Sequence, residues 1–426
     1  MDQTPLSGGF GPLAGLKVID MSHVMAGPVC GMMLADMGAD VIKVEKLPGG
    51  DDTRRSVPPT VEGESAAFMI MNRNKRGIAI DLKSAAGREA LLRLIDDADI
   101  LIENYRKGTL EKLGLGYAAL RARNKRLIFC SISGFGRTGP YAERGGFDLI
   151  AQGYSGVMSV TGEGPGRAPV KVGPPIADIS AGLLGTIGVL AALQHRHATG
   201  EGQAVDTSLL EAGITHMYWQ VAIGFATGVA PAPLGSGHPL MAPYQAFRTA
   251  DDPITIGAAN DANWQRLLTV LEQPALAKDP RFTRNADRMT NLPALVALLE
   301  PIFLTRGAAD WLAALEAAGV PAGPVLNVLQ MAENPQVKAR HMIVETDHAV
   351  AGRVKSIGFP IKFSATPGAV RRPAPVYGQH TEEILRENGF SAAQIGALRE
   401  SGAVFATDEI FDEPATQPTL GAGADA

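Results

Sequence analysis

One carboxylate in this sequence stands apart from the rest. Asp178 is the only acidic residue between Glu163 and Glu201, and the run that carries it, PPIADISAGLLG, is otherwise apolar and glycine-containing. An Asp just ahead of an apolar helix has two uses. It can act as an N-cap, its side chain accepting a hydrogen bond from a backbone N–H two or three residues on. It can also act as a nucleophile, because the positive end of a helix favours the ionised form and only that form attacks an activated acyl carbon. The two roles are compatible.

Other residues narrow the chemistry. His23 lies in a loop after the strand-like run LKVIDM, a place suited to ligand contact or to a local backbone role. His195 and His197 follow a helix, whose C-terminal end favours cations, and read as structural. GFGRTG at 134–139 is a literal G-x-G-x-x-G directly after RLIFCSIS and would suit a dinucleotide. Pro140, however, falls where the binding helix should be in its first turns, and no acidic residue ends a second strand about 20 residues further on, so a tight loop is the better reading. No H-E-x-x-H, paired C-x-x-C, G-x-S-x-G or Walker A sequence occurs, and no metal is expected. Lys43, Lys46, Arg73, Lys75, Arg76, Lys83, Arg106, Lys107 and Lys112 all follow strand-like runs. Singly such residues are solvated surface; as a set at the ligand-binding edge of a parallel sheet they suit a ligand with several phosphates.

The elements that must position these residues alternate between strand and helix. LKVIDM and ADVIKVEK read as strands flanking the helical VCGMMLADMG, and GIAIDLK, DILIENY and RLIFCSIS read as further strands, with a helix over SAAGREALLRLIDDA capped by Ser84. Alternation of this kind predicts an α/β fold, a parallel sheet with helices on both faces and ligands at the loops that follow the strands. A long apolar helix is expected over about 179–197 and must be buried; the segment GQAVDTSLLEAGITHMYWQVAIGFA predicts a strand and a second buried helix. VAPAPLGSGHPLMAP reads as a linker or mobile loop. Short strands around AFRT and ITIGA and helices containing WQRLLTVL and LPALVALLEPIFL predict a smaller α+β domain, followed by a strand-like segment over about 345–378 and a helix at TEEILRENG. The acidic tail after about Thr407 is expected to be disordered or to lie over a partner.

At 426 residues, with 46% apolar and 19% charged, the chain has material for two structural units. No uninterrupted apolar run reaches the roughly 18 residues of a membrane span, and the opening MDQTPLSGGFGP lacks the features of a signal peptide, so a cytoplasmic protein is expected. Cys30 and Cys130 read as two buried thiols. The net charge of −5 argues against nucleic-acid binding. It is unevenly spread: residues 1–144 carry 20 Lys/Arg against 17 Asp/Glu, which leaves room for a phosphate-bearing ligand on the first third.

The runs LAGLKVIDMSHVMAGPVCGMMLADMGADVIKVEK, NRNKRGIAIDLKSAAGREALLRLIDDADILIENYRKGTLEKLGLGY, SGFGRTGPYAERGGFD and ADISAGLLGTIGVLAALQHRHATGEGQAVDTSLLEA closely resemble the family III CoA-transferases, which include formyl-CoA and carnitine CoA-transferases. The resemblance implies a homodimer of two interlocked rings. Each chain would have a Rossmann-like large domain made from 1–225 and 341–426, and a smaller α+β domain over 226–340. It implies that Asp178 is the catalytic residue, forming a mixed anhydride and then an aspartyl-CoA thioester. It implies CoA as cosubstrate, with no tightly bound cofactor, held by His23, Met25 and Ala26 in the first loop and by Lys46, Lys83, Asn104, Lys112 and Arg144 near the nucleotide phosphates. Gly235, Ser236, Gly237 and His238 match a loop that covers the aspartyl intermediates in formate-handling members, with a shorter glycine run. Met25 replaces the glutamine of oxalate- and formate-handling members, which disfavours that pair. Related racemases place a catalytic histidine in Gly-His-Asp where this chain has Gly146, Phe147 and Asp148, which disfavours racemisation. Alternatives are a CoA-ester isomerase, an NAD-dependent dehydrogenase resting on GFGRTG, and a non-catalytic CoA-binding or scaffold protein.

Overall fold

The computed structural model describes residues 10–407, so the acidic tail lies outside the described residues. Contacts divide the chain into two compact units. The first runs from the start of the described residues to Ser155, resumes over Gly173–Thr215 and returns from Pro335 onward; the second comprises Gly156–Val172 and His216–Asn334. The change of unit thus falls ten residues before the expected 226, and the loop-rich 156–172 packs with the second unit.

In the first unit, six parallel strands are β1 (Lys17–Asp20), β2 (Asp40–Lys46), β3 (Lys75–Ile80), β4 (Ile100–Glu103), β5 (Ile128–Ser133) and β6 (Ala204–Ser208). A short β7 (Val404–Phe405) adds antiparallel to β3. The sheet order is β7-β3-β2-β1-β4-β5-β6. This is the doubly wound order of a Rossmann-like sheet, whose direction of growth reverses between β1 and β4. Consecutive strand residues point to opposite faces, so each strand must be apolar on both. Val18, Ile100, Ile102 and Ile128 enter one core, while Ile19, Ile42, Leu101 and Phe129 enter the other.

The helices that matter for the site are α1 (Ala26–Asp36), α2 (Ala85–Asp96), α3 (Asp148–Tyr154), α4 (Ile176–Thr199) and α5 (Leu209–Thr215) in this unit, and α6 (Tyr218–Thr227) in the other. Ser84 caps α2 as expected, accepting a 2.9 Å hydrogen bond from the Gly87 amide. Three expectations for the apolar helices are corrected. α4 begins at Ile176, three residues earlier than expected, and Leu183, Ile187 and Leu190 leave one stripe of it exposed. The predicted second helix is two, and α6 buries none of its residues. α4 has 24 residues and an 18-residue stretch of mean hydropathy 1.9, long and apolar enough for a membrane span; its other face packs on α1, α5, β5 and β6. A hairpin, Ile343–His348 with Gly352–Ile357, replaces the longer strand-like segment read over 345–378.

α1 and α4 approach closely because Gly182 has no side chain. A Cβ there would lie 2.5 Å from the Ala26 carbonyl oxygen and 2.8 Å from Val29 Cβ. Helix propensity alone predicts that Gly182→Ala gains about 1 kcal/mol. The clash is with backbone and a branched side chain, and overpacking of this kind costs about 1–3 kcal/mol. Gly182→Val should therefore lower the urea midpoint at unchanged slope; an unchanged midpoint would refute the close packing.

The second unit carries a three-stranded antiparallel sheet with Ile254–Gly257 between Tyr244–Phe247 and Ala322–Pro324. Trp264, Phe282, Phe303 and Trp311 fill its core against helices Asp261–Val270, Leu292–Phe303 and Ala308–Ala317.

Candidate active site

Ligands of open α/β sheets bind beyond the carboxyl ends of the strands where the order reverses. Here that crevice lies between the loops after β1 and β4, and they are tied together. The His23 amide donates to Asn104 Oδ1 at 2.8 Å, and Asn104 Nδ2 donates to the His23 carbonyl at 2.7 Å. The His23 ring meets Tyr105 edge-on at 4.8 Å. Among the described residues, its buried Nδ1 has no hydrogen-bond partner. Burial, followed by the charge of Lys43, lowers its pKa to about 4, so the ring is neutral at physiological pH and can serve a ligand as donor or acceptor.

Val24 has φ +66°, a left-handed conformation that is costly for a β-branched side chain. Its amide is held by Asp51 Oδ1 at 3.1 Å. Asp51 in turn pairs with Lys43 at 2.8 Å, and Lys43 also donates to the Ser22 carbonyl. Asp20, at the end of β1, accepts from Lys75 at 2.8 Å. This wholly buried scaffold fixes the loop, and it corrects the reading of the basic set. Lys43, Lys75 and Arg73 are buried in pairs with Asp51, Asp20 and Asp36, and Arg76 is shared among Asp40, Glu383 and Glu387. Lys75 and Arg76 open β3 at its amino end. These four hold the fold together instead of facing a phosphate.

The remaining cations are not buried in pairs. Lys46 is the last residue of β2 and pairs with Asp52 at 2.7 Å in solvent. Lys83 is exposed in the turn after β3, and Lys112 is exposed after β4. Arg144 follows β5, lies 3.9 Å over the Tyr141 ring and donates to the Tyr154 hydroxyl at 3.3 Å. A cavity of about 240 Å³ beside β4 and β5 brings Arg106 and Lys107 together with Arg137, a residue the sequence reading passed over inside GFGRTG. That glycine-rich loop is anchored, with Arg137 paired to Glu103 and its amide on Asp206 at 3.1 Å. Gly134 backs directly onto Gly146, where a Cβ would meet backbone at 2.7 Å. No helix starts behind it until Asp148, which removes the geometry of a dinucleotide site.

Met25 occupies the N-cap position of α1 and Ala26 is its first residue; the Ala26 carbonyl lies against Gly182, one turn beyond Asp178 on α4. The end of the first loop and the second turn of α4 are therefore brought together, although far apart in sequence. Asp178 is not an N-cap. It is the third residue of α4, half-buried, and Pro175 stands at the cap. The capping is done by Asp148, whose Oδ1 accepts from the Ala177 amide at 2.9 Å while Oδ2 accepts from Gln152 Nε2 at 2.6 Å. Nothing local in the sequence around residue 178 announces a cap 30 residues away. Among the described residues, the Asp178 carboxylate takes part in no hydrogen bond or ion pair. Burial first, and the charge of Asp148 second, raise its pKa to about 7. This reverses the expectation that the helix end keeps it well ionised: at neutral pH it is poised between the two forms.

Gly235, Ser236, Gly237 and His238 belong to the second unit. His238 stacks on Tyr244 at 5.0 Å, and Ser236 Oγ accepts from the Ala246 amide at 3.0 Å.

Residues 13–381 match the family model described as CoA-transferase family III. The chain is 41% identical over 382 residues to a succinate–glutarate CoA-transferase of Agrobacterium fabrum, covering 88% of this chain and 95% of that one. It is 38% identical over 397 residues to a succinyl-CoA:mesaconate CoA-transferase of Haloarcula hispanica, covering 89% and 97%. Among solved structures, a CAIB/BAIF family protein from Brucella suis superposes with a TM-score of 0.80 at 42% identity, covering 89% of this chain and 100% of that one.

Proposed function

Because the chain belongs to CoA-transferase family III and is thus an enzyme moving CoA between an acyl-CoA and an acid, we propose that Asp178 carries the acyl group and that the acids are small dicarboxylates. The observation that carries the first part is a carboxylate that has no partner among the described residues, on the first turn of the helix that packs against the end of the loop at the reversal point of the sheet. Succinate, glutarate and mesaconate in the names of similar enzymes support the second.

The ionised Asp178 oxygen attacks the thioester carbon, the C–S bond breaks, and CoA leaves as thiolate from a mixed anhydride. The thiolate attacks the aspartyl carbonyl and expels the donor carboxylate, leaving an aspartyl-CoA thioester. An acceptor carboxylate displaces the thiolate to form a second anhydride, and the thiolate then takes the acceptor acyl group and frees Asp178. Each step exchanges one activated acyl bond for another, so the thioester energy is retained. His23, Met25 and Ala26 would line the pantetheine end, and Lys46, Lys83, Asn104, Lys112 and Arg144 the nucleotide end, cations at the carboxyl edge being what a 3′-phosphate and pyrophosphate need. CoA is a cosubstrate in this reading. Racemisation lacks a second base, since Phe147 stands where that reaction needs a histidine.

The same reading takes the enzyme as a cytoplasmic homodimer of interlocked chains. Its support is exposed apolar surface on each unit: Ile187, 62% exposed, between Leu183 and Leu190 on α4, and Phe225, 88% exposed, and Leu329, 79% exposed, on the second. Sedimentation should give twice the chain mass, and a monomer at micromolar concentration would refute it. The substrate assignment is tested by crossing succinyl-, glutaryl- and acetyl-CoA with a panel of mono- and dicarboxylic acids and following exchange by mass spectrometry. Dicarboxylates should exchange fastest; equal rates for monocarboxylates would overturn it.

A further inference from the structure

Asp148 meets the site from outside the sequence neighbourhood of the nucleophile. It opens α3, is buried, and spends one oxygen on the Ala177 amide and the other on Gln152. Ala177 is the residue before Asp178, so the Ile176–Ala177 peptide plane, one ahead of the plane leading into Asp178, is fixed by a side chain from another helix. We propose that Asp148 is the positioning residue of this reaction: it ties off the first turn of α4 through the Ala177 amide and sets a like charge beside the Asp178 carboxylate. The inference deepens the assignment of Asp178 as acyl carrier and rests on it.

The other charged groups on the elements packed against α4 are engaged elsewhere. On α1, Asp36 pairs with Arg73 at 2.6 Å. On β6, Asp206 accepts the Arg137 amide. On α5, Glu211 accepts from the Ser208 hydroxyl at 2.7 Å. Asp148 is the charge that acts on Asp178, and it acts in the same direction as burial. A like charge nearby disfavours ionisation and strengthens the basicity of the ionised form. The helix amide and Gln152 let Asp148 remain in place beside it without an opposing cation.

The two contributions are separable by substitution. Asp148→Asn keeps an acceptor for the Ala177 amide and loses the charge; Asp148→Ala loses both. The readout is the rate at which hydroxylamine labels the Asp178 peptide in a single turnover with succinyl-CoA, measured by mass spectrometry from pH 5.5 to 9. In the native enzyme the rate should rise with pH through about 7, as Asp178 ionises. Asp148→Asn should move that inflection down and lower the plateau by less than Asp148→Ala does. Asp148→Ala should lower the plateau roughly ten- to a hundredfold at unchanged half-saturation by donor, the scale of a displaced reacting group. A profile for Asp148→Asn that superposes on the native one overturns the proposal, and it decides alone if Asp148→Ala does not fold. Failure to label the native enzyme would overturn the acyl-carrier assignment itself, a result distinct from labelling that is insensitive to residue 148.

Discussion

Asp178→Ala should abolish CoA exchange, lowering the rate by roughly 10⁴-fold or more while leaving the affinity for acyl-CoA within the native range. The magnitude follows from the role. Removing a covalent nucleophile leaves only binding and proximity, and losses of about 10⁴ to 10⁶ are typical when such a group is deleted. Affinity should survive because the residues proposed for CoA, from His23 to Arg144, belong to loops that do not depend on the carboxylate; His23 is held by Asn104 and Val24 by Asp51. The measurement is incorporation of labelled succinate into succinyl-CoA, alongside a direct binding titration with CoA. Exchange within about tenfold of native would exclude Asp178 as acyl carrier, since no route through a mixed anhydride at that position could continue. Loss of binding together with exchange would point to a structural role for the residue.

The same residue should limit stability. Its pKa is about 7 in the folded chain against an ordinary value of 3.8. Below about pH 4 both states hold the proton and the group contributes nothing to the pH dependence. As pH rises from there to about 7, the unfolded chain releases the proton while the native state keeps it, so native stability falls; above about 7 both are ionised and the loss is constant. A shift of about three units corresponds to roughly 4 kcal/mol, an upper figure because the side chain keeps some contact with water. Asp178→Asn has no proton to release. Its melting temperature should exceed that of the native enzyme, by a margin that widens between pH 5 and pH 8, at fixed protein concentration. A margin that is constant with pH, or of opposite sign, would contradict the raised pKa. A carboxylate desolvated at a cost in stability is the expected pattern where function requires an available charge.

Much of the large unit can be read from residue order alone. Alternating apolar runs of strand and helix length leave few solutions, and a parallel sheet buried on both faces is the one in which Val18 and Ile19, side by side, can both be dry. Asp178 was visible because an isolated acid in an apolar run must be either satisfied or used. Other features were invisible for physical reasons. Lys43 and Lys75 look like surface residues by type, and only the position of Asp51 and Asp20 in space turns them into buried counter-ions. The α4 sequence is apolar nearly all round, so its composition predicts burial; which stripe stays exposed depends on where α1 and α5 pack.

The covalent sequence is thus enough to settle the alternation of elements and to single out one acid in an apolar run. These are short-range matters of periodicity and side-chain type. Whether that carboxylate caps its own helix or stands free was decided by folding, which brings Asp148 across 30 residues to take the Ala177 amide and to raise the pKa of its neighbour. Hydrogen-bond partnership and electrostatic environment are properties of distance in space, and no spacing along a chain encodes them until the sheet and its helices have closed around the site.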